Sequence, residues 1–165
     1  MGTTKTDTKQ KTVSINRKFN LPLSTIWKAW TEPESFKKWW GPTNYTCTYC
    51  TIDLRVGGKY LANMKDKEGN EVFGTGTYKE IVPNKKLVMS DHFADSKGNI
   101  IPAPKEMKGE WPEEGALITL ELSENDGKTS LSMEQEGIPV EMYEDCIQGW
   151  QESFDKMENL KWNTI

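Results

Sequence analysis

One histidine and three cysteines in 165 residues limit the chemistry this chain can carry. An odd, small cysteine count does not build a disulfide framework in a chain of this length. No apolar run approaches the roughly 18 residues that a membrane-spanning helix requires, which excludes membrane insertion. An excess of basic residues is also missing. Lys and Arg number 21 against 25 Asp and Glu, for a net charge of −4. The basic stripe by which nucleic-acid binders neutralise phosphates is therefore absent. Met1 to Lys11 is polar and lacks the apolar stretch of a secretion signal. The expectation is a disordered leader over residues 1–11, one domain over 12–165, and a cytoplasmic location. In plentiful supply, by contrast, are seven Trp and seven Met. These residues fill broad, irregular apolar spaces.

Val13, Ile15, Arg17 and Phe19 alternate with polar residues, which predicts a strand with one buried face. Pro22 suits the first turn of a helix carrying Ile26, Trp27 and Trp30. Thr31-Glu32-Pro33-Glu34 reads as a capping box opening a second short helix, with Phe36, Trp39 and Trp40 on its apolar side. Gly41-Pro42 ends that helix. Six further strands are expected at Tyr45–Leu54, Lys59–Met64, Val72–Val82, Leu87–Phe93, Ala116–Leu122 and Thr129–Glu136. Turn signals separate them at Gly57-Gly58, Glu68-Gly69-Asn70, Pro83-Asn84 and Asn125-Asp126-Gly127. Residues 95–114, rich in Gly and Pro, form a long irregular loop. From residue 140 to 161, Tyr143, Ile147, Trp150, Phe154, Met157 and Leu160 recur at intervals of three or four and predict a long amphipathic helix. At roughly 1.5 Å per residue it would run on the order of 30 Å, enough to cover a sheet. The predicted class is α+β: a curved antiparallel sheet of about seven strands gripping a C-terminal helix.

Residues 11–162 resemble the stand-alone members of the activator of Hsp90 ATPase homologue (C-terminal-domain-like) family, within the START / Bet v 1-like (SRPBCC) superfamily. The residues that carry the resemblance are Ile26-Trp27-Lys28-Ala29-Trp30-Thr31-Glu32-Pro33, Trp39-Trp40-Gly41-Pro42 and Asp53-Leu54-Arg55-Val56-Gly57-Gly58. Gly76-Thr77-Tyr78, Glu80-Ile81-Val82-Pro83 and Gly149-Trp150 continue it. The resemblance implies the helix-grip fold and an internal apolar cavity. Members of that superfamily include lipid carriers, hormone receptors, cyclases and co-chaperones, so the fold leaves the activity open.

Alternation places Tyr60, Ala62 and Met64 on one strand face, and likewise Leu87, Met89 and Asp91. Ile118, Leu120 and Leu122 make a third set, and Leu131, Met133 and Gln135 a fourth. Each such residue either packs the core or lines a pocket. The candidate ligand-binding residues are Trp30, Trp40, Tyr60, Met64, Met89, Trp111, Leu120, Met133, Gln135, Ile147, Trp150 and Phe154. The loop 95–114, with Trp111, is the expected entrance. His92 lacks an orienting carboxylate, because its neighbour Asp91 points to the opposite face. Cys47-Thr48-Tyr49-Cys50 has the spacing of a metal or redox pair but lies in a strand pattern, which turns the two thiols apart. Asp53 and Arg55 read as an ion pair before a glycine bend, or as an anchor for a polar ligand group. No catalytic residue, metal site or cofactor is assigned.

The leading expectation is binding of a hydrophobic or amphipathic small molecule between sheet and C-terminal helix, by a monomer or weak dimer. An Hsp90-type chaperone is the alternative partner, through a protein-interaction surface. An enzyme of cyclase or hydrolase type is the third reading, and it would have to draw on Asp91, Gln135, Glu121 or His92.

Overall fold

In a computed structural model, residues 9–162 are described. Residues 1–8 of the leader expected over 1–11 lie outside them, and Gln10 and Lys11 are part of the first strand. Strand β1 (Gln10–Phe19) begins three residues before the expected Val13. Helices α1 (Leu23–Thr31) and α2 (Pro33–Phe36) follow. Then come β2 (Cys50–Ile52), β3 (Lys59–Lys65), β4 (Glu71–Val82), β5 (Lys86–Ala94), β6 (Ala116–Asn125) and β7 (Lys128–Pro139). A short 3-10 turn (Val140–Met142) leads into the long helix α3 (Tyr143–Asn159). All pairings are antiparallel, in the order β1-β7-β6-β5-β4-β3-β2. Register shifts between Lys11 and Val13 and between Tyr78 and Glu80 mark bulges, which bend a sheet toward what it wraps. No helix among the described residues is long and apolar enough to cross a membrane.

Local chemistry explains most of these elements. The β6–β7 hairpin closes through Asp126 and Gly127, both at positive φ, as a two-residue type I′ loop demands. Gly58 is required where it stands, because a Cβ there would collide with the Asp53 carbonyl. Helix α3 crosses the sheet and is pinned to β1 by Arg17, which pairs with Asp155 at 2.6 Å and Glu158 at 3.2 Å. Phe19 and Phe154 meet edge to face beside that pair, at 5.8 Å.

Two expectations about short elements are corrected. The capping box at Thr31 does not form. Thr31 is the last residue of α1, and its hydroxyl donates back to the Trp27 carbonyl at 2.7 Å, so the α2 N-cap passes to Glu32. Helix α2 stops at Phe36, which leaves Trp39 and Trp40 in the following turn. The strand expected at Tyr45–Leu54 shrinks to Cys50–Ile52. The fully buried Asn63 takes over its pairing by accepting from the amides of Thr48 and Tyr49 and donating to Thr48 Oγ1. A buried amide that satisfies backbone groups in this way replaces a ladder with a side-chain clamp.

Candidate functional site: a half-filled grip

The space between sheet and α3 is divided in two. One half is solid. Trp30, Trp39, Phe36 and Phe154 are all fully buried there, with Trp30 and Trp39 rings 4.8 Å apart and Trp39 stacked on Phe154 at 6.0 Å. Trp39 Nε1 donates to the Ala29 carbonyl at 2.7 Å, which locks α1 to the turn after α2. The other half is a cavity of about 750 Å³, within the range of about 300–1,000 Å³ usual for small-molecule sites. The indoles of Trp40 and Trp150 stand edge to face at 5.5 Å, touch the aromatic cluster on one side and line the cavity on the other. They form the partition.

Each wall of the cavity has a distinct origin. The sheet supplies Met64 from β3, Phe73 from β4, Asp91 and Phe93 from β5 and Gln135 from β7. Helix α3 and the turn before it supply Met142, Cys146 and Trp150. The long connection between β5 and β6 forms the outer wall through Ile101, Met107 and Trp111. That connection is held by a bridge from Ala94 to Ile100 and by the Ile101 amide, which donates to the Phe93 carbonyl at 2.9 Å. Trp111 stands edge to face on Phe93 at 5.1 Å and donates its indole N–H to the Met107 carbonyl.

A polar chain crosses this largely apolar surface. Tyr60 Oη donates to Asp91 Oδ1 at 2.6 Å, Gln135 Nε2 makes a longer 3.4 Å contact with Asp91 Oδ2, and Trp150 Nε1 donates to Gln135 Oε1 at 2.8 Å. An indole can only donate, so Trp150 fixes the Gln135 amide with its oxygen outward and its NH₂ toward Asp91. Asp91 is half-buried, and the surface it retains is cavity wall. Burial pushes its carboxyl up to about 6, with the Tyr60 hydrogen bond opposing that rise. Burial, and after it the neighbouring Asp91 charge, drives the Tyr60 phenol well above its ordinary value.

Of the twelve candidate residues, Trp40, Met64, Trp111, Gln135 and Trp150 line the cavity. Trp30, Tyr60, Met89, Leu120, Met133 and Phe154 are buried in the packed half, although Tyr60 reaches the cavity wall through its bond to Asp91. Ile147 is half-buried and packs against the core. Sequence reasoning put Asp91 in phase with Leu87 and Met89 but left it out of the ligand-binding set. Its signal was a carboxylate on an apolar strand face. Asp91, Gln135 and His92 lie on the cavity, whereas Glu121 is exposed on β6 and does not line it. Burial holds the His92 imidazole below its usual value, with Lys79 adding to the effect and Glu114 opposing it.

The three cysteines do not meet at one site, although Cys47 and Cys50 are both buried in the core rather than turned apart. Cys47 and Cys50 are buried away from the cavity, and Cys146 lines it. Burial raises all three thiols, Cys50 to about 12 and Cys146 to about 11, so each is a poor nucleophile near neutrality. Among the described residues, no three His, Cys, Asp or Glu side chains gather into a metal-binding group. Asp53 and Arg55 pair at 2.9 Å on an exposed bend and do not line the cavity.

Comparison with known proteins places this geometry. The family model described as "Activator of Hsp90 ATPase homolog 1-like protein" matches residues 20–161. The chain belongs to that family. Among curated relatives, the human activator of 90 kDa heat shock protein ATPase homolog 1 is 33% identical over 108 residues. That match covers 65% of this chain but only 25% of the human protein, and the mouse counterpart matches to the same extent. A crystal structure of protein Ms6760 from Mycobacterium smegmatis superposes with a TM-score of 0.74 at 22% identity, covering 93% of this chain and 92% of that one. Protein CV1439 from Chromobacterium violaceum gives a TM-score of 0.71 at 26% identity, over 89% and 94% of the two chains. The AHSA1-like protein from Aeromonas hydrophila gives 0.70 at 18% identity, over 90% of each. The helix-grip architecture expected from the sequence is thus the architecture of the family.

Proposed function

We propose that this protein binds an apolar or amphipathic small molecule in the cavity between β3–β7, the 95–115 connection and α3. The observation that carries this reading is the half-filled grip itself. The aromatic cluster fills one half with fully buried rings, and a cavity of about 750 Å³ stays open in the other. Empty apolar volume costs stability unless something fills it, because the lining atoms forgo their contacts. The Asp91–Gln135–Trp150 chain gives such a ligand a polar point of attachment on a largely apolar wall.

Two experiments test the reading. Native mass spectrometry of freshly purified protein should detect a retained small molecule. Titration with a long-chain alcohol, a sterol and an aromatic polyketide should shift the indole N–H resonances of Trp40, Trp111 and Trp150. The resonance of Trp39, sealed in the packed half, should stay in place. The reading fails if every such probe leaves all four indoles unmoved.

The human relative, whose name is that of an Hsp90 ATPase activator, favours a second reading: engagement of an Hsp90-type chaperone. The shared segment is a quarter of that relative, so the activity belongs to this chain only if the segment alone suffices. Stimulation of a purified Hsp90 ATPase by this chain supports that reading. Absence of both stimulation and binding at high micromolar concentration removes it.

A further inference from the structure

We infer that the cavity selects an organic cation, an amine or amidinium carried on a flat apolar body, and that Asp91 is its counter-ion. This inference rests on the cavity-binding reading and narrows it to one chemical class.

The first support is charge. Asp91, Glu110, Glu113 and Asp145 all contribute to the lining, the last three as exposed residues, and neither Lys nor Arg does. Among the described residues, the cation paired with one of these carboxylates is Lys9, 3.3 Å from Glu110 on an exposed edge. An anionic amphiphile such as a fatty acid would enter a field of its own sign. A cationic one would be drawn in.

The second support is the bonding of Asp91. Both of its hydrogen-bond neighbours are donors, the Tyr60 hydroxyl and the Gln135 NH₂, and the Trp150 indole fixes the latter. A carboxylate offers about four acceptor positions, and two are used here. Asp91 lines the cavity and has no ion-pair partner among the described residues. A desolvated carboxylate held in acceptor form without a cation is costly to the protein, and a ligand cation would offset that cost.

The third support is aromatic. Trp40, Phe93, Trp111 and Trp150 line the same space, and aromatic ring faces attract cations. The Trp150 indole is bonded directly to Gln135, so an aromatic surface and the carboxylate lie two side chains apart.

The test uses three probes on one anthracene body: 9-anthracenylmethylamine, 9-anthracenemethanol and 9-anthracenecarboxylate. They are titrated into the full chain at pH 7.5 with calorimetry and tryptophan quenching. A charge-assisted bond to Asp91 is expected to make the amine bind about tenfold or more tighter than the alcohol, with the carboxylate weakest. Asp91→Asn should cut amine affinity by about tenfold and lower the amine-to-alcohol affinity ratio. If the alcohol binds as tightly as the amine, or the carboxylate binds tightest, the cation assignment is overturned and the cavity-binding reading survives. If none of the three binds, both fall. Should Asp91→Asn not fold, the ranking of the three probes on the wild-type chain decides the matter alone.

Discussion

The hydroxyl of Tyr60 on β3 and the carboxylate of Asp91 on β5 meet at 2.6 Å across the intervening strand β4. That approach exists because position 76, between them, is glycine. A Cβ there would collide with the Ser90 carbonyl and come within 2.8 Å of the Tyr60 ring. A phenol from the packed half of the grip thereby reaches over to control a carboxylate in the open half.

Asp91 should destabilise the fold near neutral pH. Its folded carboxyl is raised to about 6, above its ordinary value near 3.8. Between those values the folded state holds a proton that the unfolded chain has released. Stability therefore falls as pH rises through that window, and the penalty is complete above it. Asp91→Asn removes the penalty, so the variant gains on the order of 2 kcal/mol over wild type at pH 7.5. The pH-dependent part of that gain should shrink below pH 6 and vanish under about 4. Urea unfolding at pH 4, 5, 6 and 7.5 measures this, and a difference that ignores pH defeats it.

Tyr60→Phe tests the partner. The hydroxyl stabilises the ionised form of Asp91, so its removal should move the Asp91 titration upward from about 6. A ¹³C-carboxyl NMR titration reads the shift directly. A midpoint that stays in place or moves down would show that the phenol does not hold the charge.

Gly76→Ala should be far more damaging than its single methyl suggests. Overpacking a finished interior costs about 1–3 kcal/mol, and here one of the opposing atoms is a backbone carbonyl that cannot swing away. Thermal unfolding should show a clear loss of Tm, accompanied by a weakened Tyr60–Asp91 coupling. An alanine variant as stable as wild type would mean that β4 moves freely at this point.

The long elements were legible because their patterns are long. The helical stripe from Tyr143 to Met157 and the alternation through β5, β6 and β7 gave those elements to within a few residues. The short ones were lost to single side chains acting locally. Thr31 spends its hydroxyl within its own helix, and Asn63 clamps Thr48 and Tyr49 where a ladder was expected. At the candidate site, alternation revealed which face of a strand points inward but not which end of the grip is filled. Met89 and Gln135 share the inward direction, yet one is sealed in core and the other lines a cavity. The difference lies in the cluster of Trp30, Trp39 and Phe154, whose rings meet only in three dimensions.

That division yields a last contrast, between two tryptophans of equal size. Trp30 is fully buried, with rings of Trp39, Trp40, Trp150 and Phe154 within 6.4 Å. Trp30→Ala should cost roughly 3–5 kcal/mol, as large-to-small changes in closed cores do. It should also release the Trp40–Trp150 partition, letting the cavity grow into the vacated space. Trp111 is half-buried on the outer wall and rests on Phe93 alone among the aromatic rings. Trp111→Ala should cost no more than about 1–2 kcal/mol, because water already reaches the site and less surface is lost. Its effect should appear in kinetics, as faster association and dissociation of a cavity probe. Paired denaturation and stopped-flow measurements separate the two. Equal stability losses would mean that the wall formed by residues 95–115 is as tightly packed as the core, and that the cavity has no easily opened side.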